Sequence, residues 1–453
     1  MLAPILQLAG FASIAPFVRH ILAVPRSAFP LPALRALGAL GALGAAALLS
    51  GTTLSVAPSA ALAQAPSGAP AGPPARPGGE RRVTIDAGAE CPPGQTEVRP
   101  HSCQAPELPA PSILDYRPRS TLVAPVHRVP RAKYPVIDFH GHPQGLLDAN
   151  DGLERLGDAL DSLNVRVMVA ANNVSGDALR RTVALVRASP RMRDRVRVLT
   201  GIDFRNVGPG WAERAVAQVE ADVAAGAVGV GEISKSFGLS IRKADGTRLR
   251  IDDPALDPVW QACARLGIPV FIHTADPQEF WQPIDYHNER WLELALFPRR
   301  RYPPEEFPSF EELMTERDAL LRRHPRTTFV IAHLGWHAND LGRLAKLMEA
   351  LPNVHTEVGA VLYDIGRQPR AAHDFFVRFQ DRILFGKDAF QPEEYPYYWR
   401  VFETRDDYFE YYRPYHAFWR LYGIDLPDAV LRKVYYQNAL RITAGLPRAG
   451  WPR

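Results

Sequence analysis

From Tyr134 onward the chain repeats one pattern: a short apolar, β-branched run, then a longer stretch whose apolar residues recur every three or four positions. Runs of the first kind read as parallel strands buried on both faces, and stretches of the second kind as amphipathic crossover helices. The pattern predicts strands over 134–140 (YPVIDFH), 165–171 (VRVMVAA), 195–203 (RVRVLTGID), 227–235 (AVGVGEISK), 268–274 (IPVFIHT), 327–333 (TTFVIAH), 353–359 (NVHTEVG) and 382–388 (RILFGKD). It predicts helices around 153–163, 177–188, 212–224, 254–266, 310–323, 339–351, 370–379 and 428–441. Eight alternations predict an α/β fold, a (β/α)8 TIM barrel of the usual ~250 residues plus two loop insertions at its C-terminal face. An open, doubly wound sheet is the alternative arrangement.

The N-terminal part reads differently. Residues 36–50 (ALGALGALGAAALLS) form an apolar run preceded by Arg26 and Arg35, and Ala61-Leu62-Ala63 follows it. A positive flank, a short apolar core and an A-x-A site are the parts of a secretory signal, and the run is shorter than the ~20 residues of a spanning helix. The organisation expected is a signal peptide with an N-terminal extension over 1–63, a disordered Pro/Gly-rich linker with a cysteine loop over 64–115, and the barrel over 116–446. An uncleaved anchor is the alternative for the leader, and a start site set too early would explain the long lead-in. Cys91 and Cys103 can close a small disulfide loop, as suits an exported, periplasmic or extracellular chain; Cys263 reads as a core residue.

Composition narrows the classes. Hydrophobic residues make up 46% and charged residues 23%, and a net charge of +4 is too small to imply a nucleic-acid or membrane surface. Three cysteines exclude a zinc ribbon or a disulfide-dense scaffold, so any metal falls to His, Asp and Glu. Neither a GxGxxG after the first strand nor a GxxxxGK[ST] is present, so no nucleotide cofactor is implied.

Candidate chemistry gathers at the strand ends. Asp138, His140 and His142 end the first strand, Glu232 and Lys235 the fourth, His273 the fifth, His333 the sixth and Asp388 the eighth. In a barrel these positions share the C-terminal rim, where catalytic residues of the fold converge. A single histidine after a strand is usually only a satisfied polar residue, but five strand ends with the same ligand chemistry point to a divalent ion, zinc first, with manganese or iron as alternatives. Glu232 and Lys235 differ by an odd number, so a regular strand aims only one of them inward. The insertion over 276–308 brings Trp281, His287, Glu289 and Arg290 toward a pocket, or packs on itself. The aromatic-rich insertion over 390–422 reads as a packed lid or a subunit interface; its acids outnumber its arginines, which argues against single-strand nucleic acid.

Through DFHGH, GEISKSFGL, PVFIHTADP, FVIAHLG and RILFGKD in order, residues 134–445 resemble the amidohydrolase superfamily, and more closely its amidohydrolase-related branch of hydrolases and decarboxylases. The resemblance implies His140, His142 and His273 as metal ligands and Asp388 as the carboxylate that binds the metal or takes a proton from its water. His333 would bind a second ion or polarise the substrate and move protons. Glu232 resembles a bridging glutamate of TatD-type deoxyribonucleases, with Lys235 the alternative as a carbamylated bridge or a cation for substrate. His337 and Arg290 are further substrate candidates. Where the family commonly has Ser or Thr before the last aspartate, this chain has Lys387, which strand alternation points away toward packing or an external salt bridge. One or two ions, a small-molecule substrate, no membrane after leader cleavage and an open question of homo-oligomerisation complete the reading. The implied reaction is hydrolysis of a small amide, ester or lactone by metal-activated water. A decarboxylation of an aromatic or unsaturated acid is the alternative, and a non-catalytic secreted binding protein the reading from another class.

Overall fold

The computed structural model describes residues 82–452; the leader and the Pro/Gly-rich start of the linker, residues 64–81, lie outside the described residues. Two compact units divide at Ala105 and Pro106. In the first, strands Arg82–Thr84, Thr96–Arg99 and Ser102–Gln104 form an antiparallel sheet, and Cys91 is bonded to Cys103.

In the second unit each apolar run becomes a strand of one parallel sheet: β1 (Val136–His142), β2 (Val165–Val174), β3 (Val196–Thr200), β4 (Ala227–Ile233), β5 (Val270–Ile272), β6 (Phe329–Ile331), β7 (Val354–Glu357), β8 (Ile383–Leu384) and β9 (Asp388–Ala389). From β2 to β8 each strand pairs with its predecessor. The eighth position is split: β8 pairs with β7, and β9, after a gap of three residues, pairs with β1 through Asp388 opposite Gly141. Phe139 N donates to Phe385 O at 3.0 Å across the same junction. The sheet therefore closes on itself, which is the barrel and not the open alternative.

Helices α1 (Asn150–Leu163), α2 (Gly176–Ala188), α3 (Trp211–Ala225), α4 (Asp257–Leu266), α5 (Phe310–Arg323), α6 (Leu341–Ala350) and α7 (Pro369–Arg378) cross between strands. Their ends follow local chemistry. At α5 the Ser309 side chain accepts from Glu312 N, acids fill the first turn, and Arg322 and Arg323 the last, all complementing the helix dipole. Strand residues such as Val136, Val167, Val230, Val270 and Val330 are wholly buried, so the core is continuous from the barrel interior to the helical layer.

The aromatic insertion carries helix α8 (Tyr395–Glu403) and joins this core: Tyr395, Tyr398, Trp399 and Phe402 are fully buried, with the Trp399 ring 4.7 Å from Phe385. These rings are interior residues and cannot face a partner subunit; Tyr408 and Phe418 are the exposed ones of that stretch. Among the described residues no helix is long and apolar enough to cross a membrane.

Candidate metal centre

The C-terminal ends of β1, β4 and β7, the residues just beyond β5 and β6, and β9 bring their polar side chains together above the barrel core. Glu232, at the end of β4, is central. Its Oε2 lies 3.1 Å from His142 Nε2 and 3.4 Å from His140 Nε2, while its Oε1 lies 2.6 Å from His273 Nδ1 and 4.0 Å from His333 Nε2. One carboxylate thus straddles two pairs of imidazoles. The approach depends on Gly231, whose φ of +131° puts a hypothetical Cβ 2.4 Å from Phe271 O, so no other residue fits there. Asp388 Oδ1 stands 3.7 Å from His142 Nε2 and 3.9 Å from His140 Nε2.

Behind these groups is Glu357, a residue that sequence reasoning did not single out. Fully buried at the end of β7, it accepts from His333 N and from Gly359 N, each at 2.6 Å, and its Oε1 lies 3.1 Å from His140 Nδ1. The signal was available: TEVG places an acid at a strand end like the other five. Asp276, three residues after His273, was also missed. It accepts from Lys235 Nζ at 2.6 Å and from Tyr302 OH, and stands 3.9 Å from His273 Nε2.

Charge in this group is balanced internally. Burial disfavours a charged His140, yet Glu232 and Glu357 outweigh it and hold the ring well above the usual imidazole range. Burial works against ionised Glu232 too, but His140 and His273 carry it well below ordinary carboxylates, and Glu357 and Asp388 are also lowered by neighbouring imidazoles against the cost of burial. His333 goes the other way: burial, with His273 beside it, pushes it down to about 4. A neutral His333 has its Nδ1 2.7 Å from Gly359 O, so that nitrogen carries the proton and Nε2 presents a lone pair.

Three sets of ligand atoms lie within 4.8 Å of one another: His140, His142 and Glu232; His140, His333 and Glu357; Glu232, His273 and His333. His273 Nε2 is buried with no hydrogen-bond partner. Imidazole and carboxylate donors in this number, with an orphaned ring nitrogen among them, fit a divalent cation.

Other expected residues fall elsewhere. Lys235 is 43% exposed on the rim, held by Asp276 and without a contact to Glu232. Asp138 turns from the imidazoles: its carboxylate accepts from His140 N and Lys387 N, both at 3.1 Å, and from Tyr395 OH at 2.6 Å. Lys387 points away from Asp388 as alternation requires, but its salt bridge is internal: its side chain is 1% exposed, donates to Ala389 O at 2.9 Å and pairs with Glu394. Arg290 is buried in its own insertion, paired with Glu293 and 4.2 Å above the Tyr363 ring. His337 lies 3.2 Å from Arg317 Nη2, and burial with that cation lowers it to about 2. Neither Arg290 nor His337 is brought into the imidazole group.

A closed parallel barrel whose strand ends converge on histidines and carboxylates defines a class, barrels built around a metal-type ligand set. The chain belongs to the amidohydrolase family, whose model, described as Amidohydrolase, matches residues 137–442. A search of curated proteins gave no match. Among solved structures it is similar to a TIM-barrel protein of Bordetella bronchiseptica (16% identity, 69% of this chain and 100% of that one, TM-score 0.42). It is also similar to a dihydroxybenzoic acid decarboxylase of a Polaromonas species with bound manganese and an inhibitor, 2-nitroresorcinol (14%, 68% and 96%, TM-score 0.43). A third is 4-oxalomesaconate hydratase of Rhodopseudomonas palustris (15%, 69% and 96%, TM-score 0.41).

Proposed function

We propose that the protein is a metal-dependent hydrolase acting on a small amide, ester or lactone. The observation that carries this reading is Glu232, with one oxygen toward His140 and His142 and the other toward His273 and His333. With two ions, His140, His142 and Asp388 would hold one and His273 and His333 the other, with Glu232 within reach of both. Zinc is the first choice, manganese or iron the alternatives. Bound there, divalent metal would supply Lewis acidity, polarising a carbonyl and acidifying water.

The chain's own residues do the rest. Asp388, held below the ordinary carboxylate range chiefly by the charge of His140, accepts the proton of the attacking water and returns it to the leaving group. His333, whose Nδ1 proton is committed to Gly359 O, offers a lone pair at Nε2, which supports a ligand role over that of a donor to an oxyanion. Lys235 stands on the rim with its ammonium part exposed, a cation that a carboxylate would meet. That ammonium favours a second reading, decarboxylation of an aromatic or unsaturated acid. The Cys91–Cys103 bond supports an exported location, since cytosolic thiols are kept reduced.

The test is a panel of amides, esters, lactones and aromatic acids offered to zinc- and manganese-loaded protein, with hydrolysis and carbon dioxide release read side by side. Hydrolysis without gas release is expected. Gas release alone transfers the assignment to a carboxy-lyase, and activity of neither kind with full metal content removes both.

A further inference from the structure

The residues after β6 take an unusual path. His333, Leu334, Gly335 and Trp336 have φ of +58°, +52°, +61° and +54°, four successive left-handed residues of which only one is glycine. Side chains disfavour that conformation, so a run of this kind persists only where its surroundings hold it. The turn sets two side chains against the metal centre. His333 is part of the imidazole group, and the Trp336 ring lies 4.4 Å from His333 and 5.8 Å from His273.

What holds the turn is a buried cation that the mechanism does not use. Arg317, on α5, is 1% exposed in its side chain. Its Nη1 donates to Gly335 O at 2.8 Å and its Nη2 lies 3.2 Å from His337 Nε2, so one guanidinium grips the turn at its third residue and just past its end. Asp318 supplies the counter-charge, accepting from Arg317 Nε at 3.0 Å and Nη2 at 2.8 Å. Gly335 packs so tightly that a Cβ would stand 2.6 Å from Ile331 Cδ1 and 3.0 Å from Arg317 Nη1. A planar fork with several donors meets all these demands at once, which an ammonium cannot.

We propose that Arg317 is a positioning residue: by clamping the left-handed turn it fixes the His333 ring so that Nδ1 faces Gly359 O and Nε2 faces the metal centre. The inference rests on His333 belonging to that centre but not on the reaction catalysed. Without the clamp the turn relaxes toward ordinary backbone angles, the 2.7 Å contact from Nδ1 to Gly359 O opens, and the ring is free to exchange tautomers and tilt.

The experiment is ring-nitrogen NMR of the full chain labelled at histidine, metal-free and after zinc addition, on wild type, Arg317→Met and Arg317→Lys, with near-ultraviolet circular dichroism to establish folding. Wild type should show His333 as a single neutral tautomer protonated at Nδ1. Arg317→Met should lose it for a mixture, and Arg317→Lys, which keeps the charge but reaches fewer acceptors, should fall between. If Arg317→Met does not fold, Arg317→Lys decides alone. An unchanged His333 signature in either folded variant overturns the proposal. A failure of the metal reading looks different: zinc would leave the His140, His273 and His333 signals of wild type unmoved.

Discussion

Glu357→Gln isolates the buried carboxylate behind the imidazoles. Glu357 spends both oxygens on backbone, one on His333 N and one on Gly359 N, and turns the first toward His140 Nδ1 as well. Glutamine fills the same space with one acceptor in place of two, so one backbone N–H must face an amide NH2. Losing one charge-assisted bond and leaving a donor unmet costs about 1.5–3 kcal/mol of folding stability. The effect on metal is separate. A carboxylate on the far nitrogen of a ligating histidine sets its tautomer and basicity, and its removal typically weakens metal binding ~10–100-fold, or about 1.4–2.7 kcal/mol. Zinc affinity of the metal-stripped protein, measured by competition with a chromophoric chelator, should fall by that factor while urea unfolding reports the stability loss. His355→Gln, two residues away on β7 and among the arginines Arg382 and Arg441, should lower stability without touching zinc affinity. Equal zinc affinity in wild type and Glu357→Gln would show Glu357 to be scaffold alone and refute the reasoning.

Wild type should bind two equivalents of zinc by elemental analysis after dialysis, and Glu232→Gln no more than one; two equivalents retained in the variant would remove Glu232 from the bridge. Lys387→Met, which removes one of the two cations on Glu394 and leaves Arg413, should destabilise by about 1.5–3 kcal/mol in urea unfolding, and a loss near zero would mean that Arg413 alone satisfies the carboxylate. Burial, with the Asp364 and Glu289 charges beside it, raises Glu279 from 4.5 to about 7. The folded state therefore holds a proton that the unfolded chain has already released, and stability declines as pH rises through that window. Glu279→Gln should flatten this decline in unfolding midpoints taken below and above it; an unaltered slope would place the proton elsewhere.

Strand and helix periodicity reads well from this sequence because parallel barrel strands are apolar on both faces and the crossovers are amphipathic. The rim residues at β1, β4, β9 and just past β5 and β6 were legible for the same reason, since the end of a strand fixes height in the barrel. Parity separated Lys387 from Asp388; for Glu232 and Lys235 it said only that both could not point inward, and the chain carries Lys235 past the strand onto the rim. Parity gave no help with Glu357. It shares the parity of His355, which faces Arg382 and Arg441, and only where the regular strand stops does its side chain turn inward. Arg290 and His337 were drawn toward the site by nearness in sequence. Their directions come from tertiary partners, Glu293 and Tyr363 for one and Arg317 for the other, which no local pattern encodes.

Asp138 has a bearing on how the protein is made. Its carboxylate grips the backbone of His140, synthesised early in the barrel, and the backbone of Lys387 and the hydroxyl of Tyr395, which leave the ribosome some two hundred and fifty residues later. Until that knot is tied, the two histidines of β1 have neither their fixed orientation nor Asp388 beside them. If these side chains hold a metal ion as proposed, its site would be complete only once the last strand had closed the cylinder.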